Sequence, residues 1–443
     1  MPRRGPSGGR SASAVTAVTI VVIALAAAAM AETAVLLLSP DDVGPNPVPV
    51  DPSQYFDPAR SAAAADFRTG QRNLFLIGFA VELIALAALA LGRPRHPRRL
   101  LDRLGRRPVL GAAAAAVGIS LLLAVLGLPT GLIAHERAVD VGLSTQDLGG
   151  WLGDRARGAA IAALLAAAGG MILIALQRRL PRFWWVAGTG IVIAYAVVST
   201  WLAPIVLAPI FNDFEEVPAG PARRAVLELA DRSGVEVGHV YVVDASRRST
   251  GVNAYVDGIG SSRRVVLYDN LIDRADGPVL RSVVAHELGH VAHDDLARGL
   301  LFVAIIAPLG MLLVAVGGRA LAERGGTRPG MPAAIPAYAL LIAVVSFGLN
   351  LAGDQLSRKV EASADRFALE LTHDPHGFIE LQQRLAAANH GNPNPSGLLD
   401  EALLTHPPTV ERIGAALAYA EEEGQTRANR RSPPRADAVG EPC

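Results

Sequence analysis

Cysteine is nearly absent from this 443-residue chain, and its one copy, Cys443, is the last residue. One Cys can form no internal disulfide, and Cys443 is not expected to sit in a prenylation box, which needs three residues after its Cys. Lysine is as scarce: Lys359 is the sole copy, so the basic residues are otherwise Arg, which together with the Ala richness resembles the coding bias of a GC-rich bacterium. There is no net charge either, with 41 basic against 41 acidic residues, so no global field draws nucleic acid or an acidic partner. No internal repeat is visible, which weighs against the repeat-built transporter folds. Aromatics make up 5% of the chain although 51% of it is apolar. Alanine and leucine carry the excess, in long runs instead of at helical or strand period, the pattern of membrane spans.

A hydrocarbon core of about 30 Å needs about 20 apolar residues per helix. Seven stretches qualify, at 14–38, 73–92, 109–133, 158–177, 183–207, 299–317 and 335–353. The first competes with a cleavable signal peptide, since Arg3 and Arg4 precede it and Ala29-Met30-Ala31 resembles a cleavage site. The run resumes over Ala34 to Leu38, too long for a signal core, so it counts as a span. Pro204, Asn350 and Gly353 soften the ends of two spans. Between spans five and six, "HVYVVD" (239–244), "VNAYVD" (252–257) and "VVLYD" (265–269) read as strands, the last two joined as a hairpin. The expected fold is an all-α membrane bundle of about seven spans with a small α+β domain bearing a short β-sheet or hairpin. Its parts are expected at 1–207 (five spans), 208–298, 299–353 (spans six and seven), 354–422 and a disordered tail at 423–443.

The chemistry concentrates in "VVAHELGHVAHDD" (283–295). On a helix from about Gly277 to Asp294, His286 and His290 share one face. They can aim imidazole nitrogens at a metal about 2.0–2.1 Å from each. Glu287, one residue on, falls beside that face, where it can act as general base without ligating. A metzincin would continue with Gly at 293 and His at 296; His293 and Leu296 stand there instead. The third ligand is therefore sought on another helix, where "SRKVEASADRFAL" offers Glu361, with Asp365 four residues later on the same face. A His, His, Glu set leaves a fourth position open, as a catalytic zinc requires.

Together with "PIFNDF" (209–214), "VNAYVDGIGSSRRVVLYDNLI" and "HPPTVERI", these motifs are similar in order and kind to the integral-membrane zinc endopeptidases of the CAAX prenyl protease 1 type. The resemblance covers roughly residues 200 to 415. It implies one Zn2+ per chain held by His286, His290 and Glu361, Glu287 as the catalytic base, and Asp365 as proton donor. Read from the residues, Asp365 can equally orient His286 or His290 through the ring nitrogen facing away from the metal. The resemblance sets Asn253 and Ala254 along the substrate, where an exposed edge can add a peptide as another strand. His406 can hydrogen-bond an oxyanion or simply cap or pack a helix, and His293 reads as a surface or supporting residue. The expected activity is metal-assisted peptide-bond hydrolysis on a peptide or membrane-protein substrate, prenylated or met in membrane-protein quality control, with the lipid bilayer as partner and no nucleic acid. A transporter would need more intramembrane ionisable residues than Glu32, Glu82 and Glu136. A vestigial zinc scaffold would not keep base, ligands and second carboxylate together.

Charge also bears on orientation in the bacterial cytoplasmic membrane. Arg3, Arg4 and Arg10, the loop 93–108, residues 178–182 and residues 318–328 are basic and all on one side, whereas loops 39–72 and 134–157 are Asp-rich. The positive-inside rule puts the N-terminus inside and the zinc domain outside. The resemblance implies a cytoplasmic catalytic domain, so the two disagree.

Overall fold

The computed structural model describes residues 7–92, 95–258, 263–274 and 277–431. Seven of the described helices are long and apolar enough to cross a membrane. Five precede the sheet: α1 (Ser7–Leu38), α2 (Pro58–Ala90), then after the short α3 (Arg95–Leu104), α4 (Pro108–Asp140), α5 (Leu148–Arg179) and α6 (Trp184–Leu202). Local chemistry fixes their starts. Asp57 and Asp147 accept hydrogen bonds from the N–H groups of Arg60 and Gly150, and Pro58 takes the first position of α2, where its missing N–H costs nothing. Leu36, Leu37 and Leu164 are more than 70% exposed, as only a lipid-facing side chain would be. Small residues let the spans touch: a Cβ on Gly170 of α5 would lie 2.9 Å from Ala116 Cβ of α4. At the end of span five the chain widens into a π turn over Ala203–Leu207, where Pro204 has no N–H to donate.

The polar segment follows as α7 (Ala208–Phe211), β1 (Phe214–Glu216), α8 (Pro221–Ser233), β2 (His239–Val243), β3 (Ala254–Asp257), β4 (Arg264–Tyr268), α9 (Asp269–Arg274) and α10 (Gly277–Ala292). The sheet order is β1-β2-β4-β3. β2 runs parallel to β4, and both outer pairs are antiparallel, so the expected hairpin is the β3–β4 pair. The turn between them, 259–262, lies outside the described residues. Val226 and Leu229 of α8, Val240, Val265 and Leu267 of the sheet, and Val284 and Leu288 of α10 share one core. Burying each such side chain contributes about 1.5–3 kcal/mol, and this is what fixes α10 against the sheet.

α10 ends where Asp294 adopts φ 52°, and α11 (Asp295–Arg324) departs as span six. The sequence reading separates span seven from the helix at 354–372. The two are one helix, α12 (Ile335–Thr372), because no proline interrupts it and Gly353 is packed by Phe302. At 1.5 Å per residue its first half suffices to cross the bilayer and its second half projects beyond. After α13 (Pro375–Ala388) and α14 (Leu398–Leu403), α15 (Thr409–Arg431) runs past the expected start of disorder at Glu423. Arg366 and His373 pair with Glu422 and Glu423 and hold it helical. Residues 432–443 of the expected tail lie outside the described residues.

The loops sort to two ends. Val48 N donates to Gly414 O and Thr250 N to Leu143 O, joining the 39–57 and 141–147 loops to the peptidase segment. At the other end Gly330 N donates to Gln177 Oε1, and Gly325 lies against Ala90 O. The described basic loops therefore gather at the end away from the sheet.

Candidate metal centre and active site

A tight crossing of α10 and α12 builds the site. A Cβ on Gly289 would come within 3.2 Å of Ala364 Cα and Phe367 Cβ, so the helix backbones are already in contact. The glycine inside "HELGH" therefore has a steric role: it lets α12 approach the face carrying the histidines. Glu361 then reaches both rings. Its Oε2 lies 3.2 Å from His286 Nε2 and its Oε1 3.6 Å from His290 Nε2. One donor atom from each of the three residues falls within 4.8 Å of the others, a separation that three ligands at about 2.0–2.2 Å from one ion can close. Glu361 Oε2 is buried and takes part in no hydrogen bond, so its lone pairs are available to a cation. The donor set fits a metal ion.

The other nitrogen of each ring faces a carboxylate. His286 Nδ1 stands 2.8 Å from Asp365 Oδ1, and His290 Nδ1 stands 2.9 Å from Asp295 Oδ2. Each aspartate is in turn held by an arginine. Arg412 grips Asp365 with two hydrogen bonds, Nε to Oδ2 at 2.7 Å and Nη2 to Oδ1 at 2.5 Å. Arg298 donates to Asp295 Oδ1 at 3.1 Å and to the carbonyl of Leu38, the last residue of α1, at 2.5 Å. A carboxylate at Nδ1 fixes the tautomer and turns Nε2 toward the metal position. Sequence reading reached Asp365 and left its role open; it missed Asp295 and both arginines. Arg412 lies within "HPPTVERI" and Asp295 closes "HDD", so the residues were in view without a signal of what they touch.

Electrostatics follow the same pattern. Burial works against a proton on His286, but the Asp365 and Glu361 carboxylates outweigh it and push the group up to about 10. Burial likewise opposes charge on Arg412, and the facing Asp365 more than compensates, leaving its pKa raised. Burial raises the Glu287 carboxyl against the opposing pull of His286 and His290. A raised pKa makes a carboxylate a stronger base.

The remaining expected residues lie around this centre. His406 Nε2 is 3.4 Å from Glu361 Oε2, its Nδ1 is 2.8 Å from Thr405 Oγ1, and over half of its side chain is exposed. It borders the centre from the solvent side. His293 instead bonds Ser363 Oγ at 3.1 Å and packs on Phe367, a supporting position. Asn253 is exposed just before β3, accepting from Ala254 N, while the Ala254 side chain points into the core. No described contact joins these two to the three donors. β3 pairs only with β4, so its other edge is open among the described residues.

Residues 218–420 match the model of peptidase family M48. The chain is 25% identical over 379 residues to the metalloprotease YhfN of Bacillus subtilis (strain 168), covering 82% of this chain and 87% of that one. It is 32% identical over 231 residues to the CAAX prenyl protease 1 homolog of Arabidopsis thaliana, and spans about half the length of that relative, 53%. The crystal structure of S. mikatae Ste24p superposes with a TM-score of 0.73 at 17% identity, over 90% of this chain and 98% of that one, so the two share a fold. With its seven apolar helices and a His, His, Glu centre within the segment similar to peptidase family M48, this chain is a multi-pass membrane metallopeptidase.

Proposed function

We propose that the chain is a zinc endopeptidase acting on peptide segments presented at the membrane surface, with His286, His290 and Glu361 holding one Zn2+ and Glu287 as the base. The observation that carries this reading is the approach of both Nε2 atoms to Glu361 while both Nδ1 atoms face carboxylates. A zinc ion held there would supply Lewis acidity, lowering the pKa of water and polarising the scissile carbonyl.

The protein's own groups do the rest. Glu287 accepts the proton of the attacking water and hands it to the leaving amine, a transfer its raised pKa favours. Asp365, salt-bridged to Arg412 behind the His286 ring, orients that ring; Glu287 serves both proton transfers. His406, with Nδ1 2.8 Å from Thr405 Oγ1 and Nε2 toward the centre, stands where a proton on Nε2 would be donated to the oxyanion. An extended peptide adds to the open edge of β3 beside Asn253.

YhfN, matched over 87% of its length, is named only as a metalloprotease, and the Arabidopsis thaliana CAAX prenyl protease 1 homolog is matched over 53% of its length. The chain is therefore read as cleaving non-prenylated peptides as well. Purified Glu287→Gln should keep one zinc per chain and lose at least ~10²-fold in cleavage rate; unchanged turnover would remove Glu287 from the mechanism. Paired peptides with and without a farnesyl group test the substrate, and cleavage of the prenylated one alone would overturn that part.

A further inference from the structure

At the end of the bundle away from the metal centre, a groove of about 990 Å³ opens between α1, the α5–α6 turn, α11 and the α11–α12 turn. Arg178, Arg182, Arg319 and Arg328 line it, against a single acid, Glu323. Arg319 is already engaged, donating to Glu323 at 2.9 Å. Arg178, Arg182 and Arg328 form no ion pair or hydrogen bond with any described residue. Their convergence is built in. Gly330 N donates to Gln177 Oε1 at 2.7 Å, and Gly330, at φ 82°, sits so that a Cβ would come 3.1 Å from Arg178 Cγ. The turn carrying Arg328 is thus fastened onto the end of α5 carrying Arg178. Gln177, 4% exposed, also lines the groove. Below the arginines the walls turn apolar along span six, with Leu312, Ala315 and Val316, and Trp184 and Trp185 flank them.

We propose that this groove binds the headgroup of an anionic phospholipid, its phosphate on Arg178, Arg182 and Arg328 and an acyl chain along the wall of α11. Three arginines line this one groove with no acid among the described residues paired to them, and their planar forks suit phosphate oxygens two at a time. The apolar wall points to a lipid instead of free phosphate, since a soluble anion makes no use of it. Basic pockets between spans, with indoles at the interface, are the usual form of such a site. Charge that only sets orientation needs no convergence; Arg103, Arg106 and Arg107 lie at the same end, exposed and outside the groove.

Those three arginines make the control. Native mass spectrometry and thermal unfolding of the full-length protein compare phosphatidylglycerol with phosphatidylcholine. Wild type should retain phosphatidylglycerol and unfold at higher temperature in its presence. Arg178→Gln/Arg182→Gln/Arg328→Gln should lose about 10²-fold in lipid affinity together with that gain, while Arg103→Gln/Arg106→Gln/Arg107→Gln keeps both. If the first variant does not fold, Arg178→Lys/Arg182→Lys/Arg328→Lys keeps the charge and should still bind more weakly than wild type. Equal loss in the control, undiminished binding in either groove variant, or equal stabilisation by phosphatidylcholine or by glycerol phosphate would overturn the proposal.

Discussion

Each histidine on α10 is backed by an aspartate, and each aspartate by an arginine, but the two chains are anchored differently. Asp365 and Arg412 are buried, with 4% and 11% of their side chains exposed. Removing one partner strands the other's charge, which typically costs about 3–5 kcal/mol. Arg412→Met should therefore unfold at a lower denaturant concentration than wild type, and an unchanged midpoint would show that Asp365 has another partner. Asp295 is tied through Arg298 to the end of the first span. Asp295→Asn should leave the fold intact and weaken zinc about 10–100-fold in a chelator competition. Undiminished affinity would mean that His290 needs no carboxylate behind it. The i, i+4 spacing made both histidines legible in the sequence, and Glu361 and Asp365 followed on one helix face. Asp295 was not legible, because an acid just past the end of a helix has no periodicity that separates an orienting group from a solvated one.

At the scale of elements, the crossing of α10 with α12 sets the donor geometry. A methyl group on Gly289 would have to displace Ala364 Cα, which is backbone and cannot rotate aside. In an unconstrained helix Gly to Ala is worth up to about 1 kcal/mol of stabilisation; here the clash should reverse the sign, costing about 1–3 kcal/mol. Gly289→Ala should thus be less stable and bind zinc more weakly, read by unfolding and by metal titration on the same sample; a stabilised variant with normal affinity would show the helices are not in contact there. The strands and helices were largely readable, since hydropathy and β-branched runs are local. What was not readable was that span seven and the ligand-bearing helix are a single α12. The change from apolar to charged residues near Asp354 marks where the surroundings change, while the backbone continues.

For the whole molecule, the open matter is which face carries the peptidase end. The described basic loops gather at the opposite end, and Ser144 and Thr250 tie one of the less basic loops to the sheet side. By the positive-inside rule the peptidase end is proposed to face out. Glu236, exposed in the loop after α8, offers a probe: Glu236→Cys with Cys443→Ser should react with an impermeant maleimide on intact cells, and protection would place the peptidase end inside. At the same scale, chelation should abolish cleavage and added zinc restore it; activity that survives full demetallation would contradict a metallopeptidase.

Everything in this protein that depends on near neighbours was determined by sequence alone: seven apolar runs, the strands, and two histidines and a glutamate within one turn of helix. Tertiary structure alone decided that Glu361 meets those histidines across two membrane spans, that Asp365 backs His286 while Asp295 backs His290, and that Arg328 of one turn lines the same groove as Arg178 and Arg182 of another. The division is physical. Hydrogen-bonded helices and apolar runs are set by residues a few positions apart, whereas a centre drawn from α10, α11, α12 and α15 exists only where packed surfaces, down to the missing side chain of Gly289, let those helices touch.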